Sequence, residues 1–428
     1  MKQKSKRLLA VLLTALLVGG TGTAGVFAAG AEDISAAFTD PALRACVLQE
    51  FDTDKDGALT AAEAAKVKVL VAEEKGIASL AGIEHFTALE ELNVNNKGGN
   101  NPNQLTALDV SKLPALKRLA CRFNALSALD VSKNTALEMI DVKGNQLAAL
   151  DVSKLPALRN LSCGENPLTT LDLTQNAALE ELNCEDSGLS VLNVTQNPAL
   201  EKLDCPYNAL KTLDVTQNTA LESLFCRDNA LSALDVSKNA ALEYLHCGGN
   251  QLRALDVSKN AALEMLYVFT NELTVLDVSE NAALKILDCS SNQLTAVDVT
   301  KNAALLSLHC NSNKLTTVDV TKNAALEELF CRDNELTAVN VSHNPALNKL
   351  DCRENYIASE DAVLLPPSVH PLDLDKYWFN PQKIPTVAPE PEEPAEEPTP
   401  QKWWETLDSW LQWVLRYLLF GWLWMQWA

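Results

Sequence analysis

The chain has 428 residues, a formal net charge of −21, eleven cysteines and eight tryptophans. A field this negative repels nucleic-acid phosphates, which argues against nucleic acid as a partner. Leu, Ala, Asp and Asn recur together through most of the length, so we expect one repetitive body rather than several unrelated domains.

Residues 1–28 have the organisation of a secretory signal peptide. Four basic residues precede an apolar stretch from Leu8 to Val18, and Val26-Phe27-Ala28 leads to a cleavage point after Ala28 or Ala31. We therefore predict an exported protein that is extracellular, on the cell surface or associated with the envelope. Removal of the basic start leaves the exported chain more acidic still.

An acidic segment, DTDKDGALTAAE, runs from Asp52 to Glu63. It matches the twelve-residue EF-hand calcium loop at its informative positions, and an acidic turn that binds no ion is the alternative. The expected Ca²⁺ ligands are Asp52, Asp54, Asp56, Ala58 through its carbonyl, Thr60 and Glu63. The flanks 41–51 and 60–72 are predicted to be helical, so residues 29–76 would form a helix-loop-helix cap. The loop also resembles half of a dockerin, but a single loop indicates one structural ion.

A unit of 21 residues, typified by ALEYLHCGGNQLRALDVSKN, repeats from residue 77 to residue 356. Cysteines mark the period, with Val142 and Val268 at two of the positions: Cys121, Cys163, Cys184, Cys205, Cys226, Cys247, Cys289, Cys310, Cys331 and Cys352. An asparagine follows each of these positions by three residues, except for Ser187. An earlier unit has Val94 at the cysteine position, which precedes the first cysteine by 27 residues, so this unit contains a six-residue insertion.

This pattern, LxxLxC/VxxNxLxxLDVSxN, resembles the bacterial leucine-rich repeat. The resemblance implies an α/β repeat solenoid of about 13 turns, in which each turn adds a short strand to a parallel sheet on the concave side. It also implies that the Leu and Cys side chains point inward and that the Asn amides bind the backbone of the loop leaving each strand. Physical reasoning agrees, because one unit is too small to bury its own Leu rows and must stack on its neighbours.

The regular cysteines permit two interpretations, disulfides or buried thiols. Val142 and Val268 occupy the same position, which indicates a small buried apolar group, and thiols stacked in parallel point the same way rather than at each other. We predict a ladder of buried free thiols. No nucleophile and base are expected to meet, since the two concave histidines lie three turns apart, so we predict that the protein is not an enzyme.

Residues beside the inward strand positions should form the concave surface. On four successive turns these include a group that we call the aromatic patch: Phe225, Tyr244, His246, Met265, Tyr267, Phe269 and Ile286. Exposed aromatic clusters are typical of binding surfaces, so we predict that a protein or glycan ligand binds here. The alternative is that some of these rings pack inside the solenoid.

After a predicted C-terminal cap at residues 357–383, residues 384–402 form a linker rich in Pro and Glu. Residues 403–428 hold seven of the eight tryptophans. The 18 residues from Leu411 would make about 27 Å of helix, just short of a bilayer core, and Arg416 interrupts them. A hydrophobic helix that lies at a membrane surface is therefore predicted, with a partner-binding helix as the alternative.

Together these features predict a non-enzymatic cell-surface recognition or adhesion protein, internalin-like in broad architecture. The alternative is an envelope scaffold or spacer that docks through its calcium module or its Trp-rich tail.

Overall fold

The computed structural model describes residues 32–366 and 376–383. The predicted signal peptide, the Pro/Glu-rich linker and the Trp-rich segment lie outside the described residues. Two helices near the N-terminus are α1 (Pro41–Phe51) and α2 (Ala61–Ala64). The strands are β1 (Val69–Val71), β2 (Glu91–Asn93), β3 (Arg118–Ala120), β4 (Met139–Asp141), β5 (Asn160–Ser162), β6 (Glu181–Asn183), β7 (Lys202–Asp204), β8 (Ser223–Phe225), β9 (Tyr244–His246), β10 (Met265–Tyr267), β11 (Ile286–Asp288), β12 (Ser307–His309), β13 (Glu328–Phe330), β14 (Val339–Asn340), β15 (Lys349–Asp351), β16 (Val363–Leu364) and β17 (Lys376–Trp378).

Fifteen of these strands form one parallel sheet whose strand order follows the chain, while β14 and β16 pair separately. Each repeat contributes three residues to the sheet, and equivalent residues lie side by side, as Leu224, Leu245 and Leu266 do. The fixed period of the sequence produces this register, because each unit returns the chain to the same point one strand further along. The predicted parallel-sheet solenoid is confirmed.

The solenoid extends past the predicted range at both ends, to about 14 turns rather than about 13. Strand β1 lies within the predicted cap and pairs with β2, and β17 lies within the predicted C-terminal cap and pairs with β15. The prediction of a helix over 60–72 is wrong beyond its first turn. The alternating β-branched residues Val67, Val69 and Val71 favour a strand there, and only Leu70 of the repeat signature is present to mark it.

One continuous hydrophobic core runs the length of the solenoid. Along each strand, Leu and Cys side chains that point into the core alternate with side chains that face the concave surface. Fully buried Leu224 and Cys226 thus flank half-buried Phe225. All ten ladder cysteines are buried and free, and Cys46 is buried on α1. The predicted thiol ladder is thus what the structure contains.

The asparagine that follows each cysteine position is a connector between turns. Asn250 donates through Nδ2 to the carbonyls of Cys226 (3.1 Å) and Cys247 (3.0 Å), and its Oδ1 accepts from the amide of Leu231 (3.0 Å). In the turn with the insertion, Asn103 takes this role and donates to Ala72 and Val94. The insertion therefore loops out without breaking the ladder.

The convex side is extended, with isolated bridges and turns between its short segments. Its regularly spaced aspartates accept locally, since Asp172 binds both the amide and the hydroxyl of Thr174. These bonds lower the pKa of Asp172. The aspartate row thus serves the turns of the backbone.

Helix α1 closes the N-terminal end of the core. Asp40 caps it by accepting from the amides of Ala42 and Leu43, and Pro41 suits the first helical position. The other oxygen of Asp40 accepts from the amides of Ala78 and Ser79, which ties the helix to the first repeat. Rings from both sides of this junction meet, with Phe38 and Phe51 each packed on Phe86.

Candidate functional site

The aromatic patch lies on the concave face of strands β8 to β11 and the turns that follow them. Each strand has a central leucine that is buried, so the residues on either side of it face the opposite way. All seven patch residues are half-buried, which excludes the alternative that they pack in the core. The structure therefore brings together every residue predicted for this surface, and ligand binding by it stays a prediction.

His246 is the centre of the patch. Its ring stacks on Tyr267 with centroids 5.1 Å apart, meets Phe269 edge-on at 5.3 Å and lies 6.3 Å from Phe225. Burial and the charge of Arg227 lower the pKa of His246, so the ring is neutral at pH 7. Nδ1 of this ring is enclosed and has no hydrogen-bond partner among the described residues.

Aspartates bound the central row of the patch at both ends. The register aligns Asp204 with Phe225 on one side and Asp288 with Tyr267 on the other. Burial raises the pKa of Asp204 although Lys202 lies 3.1 Å away. Asp288 is also desolvated, but hydrogen bonds from His309 and Ser290 hold its pKa below the usual range. The carboxylate of Asp288 is therefore ionised at the edge of the rings.

A second aromatic group continues the same row towards the C-terminus. The rings of His309 and Phe330 lie 4.6 Å apart, Phe330 lies 6.2 Å from Trp378, and the guanidinium of Arg353 stands 5.5 Å from the Trp378 ring. These residues were not predicted from the sequence as part of the site. The signal was present, because Phe379 follows Cys352 by 27 residues, the same spacing as in the first unit with its insertion.

The N-terminal half of the concave face is charged rather than aromatic. Arg122 pairs with buried Asp141 at 2.5 Å, and Lys143 pairs with Glu165 and Glu185. A shallow groove lies here, lined by residues such as Arg118 and Lys202. The concave face thus has two chemically different halves.

The buried thiols are poor nucleophiles. Burial raises the pKa of Cys121, Cys163 and Cys247 to about 12, so none is a thiolate at neutral pH. Each points into the core between leucines and not toward the concave face.

The acidic loop brings together three of its six predicted calcium ligands. Oxygens of Asp52, Asp54 and Glu63 lie within 4.8 Å of one another, and Asp56 lies outside this group. Desolvation and the nearby carboxylates raise the pKa of Asp54, whereas hydrogen bonds from Thr53 and Thr60 outweigh burial and lower that of Glu63 to about 2. Converging carboxylates that repel one another fit a divalent cation.

The backbone of the loop has the turn that the motif requires. Gly57 adopts φ +89°, and its amide donates to Asp52 at 2.9 Å. The hydroxyl of Thr60 caps α2 by accepting from the amide of Glu63 at 3.2 Å, and the carboxylate of Glu63 accepts from the amide of Thr60 at 3.0 Å, so the two residues form a capping box. The carbonyl of Leu59 accepts from the amide of Ile34, and Asp33 and Thr60 form an isolated antiparallel bridge, so the segment preceding α1 is held against the end of the loop.

Among the described residues, no helix has the length and apolar content that a membrane crossing needs. The predicted membrane-associating segment, 403–428, lies outside the described residues.

Comparison with known proteins agrees with the fold. Residues 38–176 match the leucine-rich-repeat domain of the endo-β-N-acetylglucosaminidase EndoS. The functional domain of InlJ from Listeria monocytogenes, which includes a cysteine ladder, is 29% identical, with a TM-score of 0.67 and coverage of 77% of both chains. No curated protein matches the chain.

Two further solved structures share the fold at lower identity. The internalin InlF from Listeria monocytogenes is 23% identical, with a TM-score of 0.61, over 78% of this chain and 95% of its own. YopM from Yersinia enterocolitica is 23% identical, with a TM-score of 0.61, over 79% of this chain and 68% of its own. The chain thus contains a leucine-rich-repeat domain with internalin-like structural neighbours. Leucine-rich-repeat proteins of this type are commonly protein-interaction or adhesion modules and typically not enzymes.

Proposed function

We propose that this leucine-rich-repeat chain is an exported, non-enzymatic recognition or adhesion protein of the cell surface, and that it binds a protein ligand through the aromatic patch. One observation carries the proposal: seven large side chains, five of them aromatic, lie half-buried on an open sheet face where the repeat requires none. Core positions of the same turns are uniformly Leu, Cys or Val, so these rings are not needed for folding. Large amphipathic side chains of this kind dominate the energetics of protein interfaces.

The test uses the full chain on arrays of cell-surface proteins and of glycans. Tyr267→Ala combined with Phe269→Ala should remove binding to the ligand that the unaltered chain selects. Val191→Ala combined with Val275→Ala is the matched control, because both valines are 71% exposed and lie off the concave strands. Binding that survives loss of the two rings contradicts the proposal. Selection of glycans alone would favour a glycan ligand instead.

We also propose that the loop from Asp52 to Glu63 binds one structural Ca²⁺. Asp52, Asp54 and Glu63 would supply carboxylates, and Asp56, Thr60 and the Ala58 carbonyl would complete the set after a small rearrangement of the loop. A bound ion would neutralise the repulsion around Asp54 and fix the loop on which α1 and α2 are built. Calcium at a hundred times its Kd would stabilise the cap by about 2.7 kcal/mol.

Thermal unfolding with calcium and with a chelator tests the calcium site. The unaltered chain should melt at a higher temperature in calcium, and Asp54→Asn should reduce that difference. Glu32→Gln is the control, since Glu32 is exposed and outside the loop. Equal melting temperatures with calcium and with chelator would refute the site.

In the alternative function, the protein is an envelope scaffold in which the solenoid is a spacer, docked through the calcium module or through the tail at 403–428. We propose that this tail associates with the membrane. Deletion of 403–428 separates the two roles. A recognition protein released into the medium keeps its ligand, whereas a scaffold loses its place in the envelope and shows no ligand of its own.

A further inference from the structure

We propose that the aromatic patch takes a basic segment of its partner, with Lys or Arg side chains over the rings and against an acidic rim beside them. The acidic rim consists of Glu201, Glu222, Glu243 and Glu264. This inference rests on the proposed function, to which it adds the charge and chemistry of the partner.

The acidic rim runs along the edge of the concave sheet where the strands begin. Each of its glutamates immediately precedes the first residue of one strand, from β7 to β10. Their backbones form a continuous ladder, in which the amide of Glu222 donates to Glu201 and that of Glu243 to Glu222, both at 2.8 Å. Successive glutamates are therefore one strand spacing apart, about 4.8 Å.

Most of this negative charge is not neutralised within the chain. Glu264 pairs with Lys285 at 2.7 Å, but Glu201, Glu222 and Glu243 are exposed and have no ion-pair partner among the residues that the structure describes. Like charges at this spacing repel one another, and a partner cation between them relieves the repulsion.

The rest of the patch boundary is also suited to a cation. Asp204 and Asp288 close the ends of the row that contains Phe225, His246 and Tyr267, so acidic groups border the rings on three sides. Aromatic ring faces attract ammonium and guanidinium groups, more strongly where water is partly excluded. His246 carries no opposing charge, because burial and Arg227 lower its pKa.

The basic groups beside the patch, Arg227 on the fourth side among them, are already engaged. Lys202 pairs with Asp204 at 3.1 Å and Lys285 with Glu264 at 2.7 Å. Arg227 pairs with Asp228 at 3.2 Å, and its guanidinium stacks 4.3 Å from the ring centre of Tyr207. An acidic segment would meet the unpaired glutamates, whereas a neutral glycan would use the rings and be indifferent to the rim. Charge complementarity thus favours a basic protein segment.

Fluorescein-labelled deca-arginine and deca-lysine are the probes, with deca-glutamate and chitohexaose for comparison, and binding to the full chain is followed by anisotropy at physiological salt. We expect both basic peptides to bind and the other two probes to fail. Glu222→Gln combined with Glu243→Gln should raise Kd by about fivefold to thirtyfold, since each of the two pairs contributes about 0.5–1 kcal/mol. Tyr267→Ala with Phe269→Ala should weaken binding of the basic peptides as well.

Non-specific attraction to an acidic protein is controlled by Glu280→Gln combined with Glu335→Gln. This pair changes the net charge equally at exposed glutamates that do not precede the strands of the patch. Equal effects of the two glutamate pairs overturn the proposal, as does preference for deca-glutamate or chitohexaose. An array ligand that needs Tyr267 and Phe269 but tolerates loss of Glu222 and Glu243 overturns the basic partner while leaving the proposed function intact.

Discussion

Replacing Asn250 with alanine should destabilise the solenoid by about 3 kcal/mol. The side chain makes bonds to four buried backbone groups, but they are not equally dependent on it. The carbonyl of Gly248, at 3.3 Å, also accepts from the amide of Asp228. The carbonyl of Cys226 also accepts from Asn229, and that of Cys247 also accepts from Asn271, so each keeps a donor in the variant. The amide of Leu231 has Asn250 as its acceptor and is left buried and unpaired.

The magnitude comes from these partners. An orphaned buried amide costs about 1–3 kcal/mol, and each of the two shorter shared bonds, to Cys226 and Cys247, contributes about 0.5 kcal/mol. With a urea dependence of about 3 kcal/mol per molar, the midpoint of unfolding monitored by circular dichroism should fall by about 1 M. Gln251→Ala is the control, because that neighbouring side chain is exposed. An Asn250→Ala midpoint equal to that of Gln251→Ala would show that the ladder does not hold the turns together.

Three further predictions address the thiols, the cap and the patch. The ten ladder thiols should resist a maleimide at pH 8 in the folded protein and react fully in denaturant, since their pKa values are raised by burial; prompt labelling of the native chain would contradict this. Asp40→Ala should remove the acceptor of four amides and speed amide hydrogen exchange across α1. Asp33→Ala is the control, and unchanged exchange in Asp40→Ala would contradict the prediction. Because the folded-state pKa of His246 is lowered, its contribution to stability is present above about pH 6.5 and is lost as the pH falls through the folded value. The charged groups around the imidazole are Arg227, Asp228 and Asp288. Between pH 7 and pH 5.5 the melting temperature of His246→Gln should therefore fall less than that of the unaltered chain. An identical fall would contradict the pKa shift.

The periodic part of the molecule could be predicted from the sequence because its information is local and repeated. A substitution such as Val142 for cysteine shows directly that the position is apolar and inward, and two-residue alternation then places its neighbours on the concave face. The ends resisted prediction because capping units lack the repeat signature. Strand β1 matches it only at Leu70, and β17 comes after an irregular segment.

The interactions of individual site residues were harder to predict. The sequence placed Phe225, His246 and Tyr267 in one row, but their stacking distances and the engagement of Arg227 depend on side-chain packing between turns. The acidic rim is visible in the sequence as a repeated glutamate. The sequence does not show that Glu264 pairs with a lysine whereas Glu222 and Glu243 do not, because this depends on the side-chain positions in the structure. Spacing alone does not reveal which charges are compensated.

The connectors between turns also bear on how such a protein changes over generations. Each connector asparagine bonds only to backbone groups of its own turn and of the turn before it, so an in-frame duplication or loss of one whole repeat leaves every remaining junction in its existing form. The concave surface can thereby lengthen or shorten by one strand spacing, about 4.8 Å, without any redesign of the interior. Recombination between near-identical repeats would thus supply ready-folded variants whose reach differs, on which selection for new partners could act.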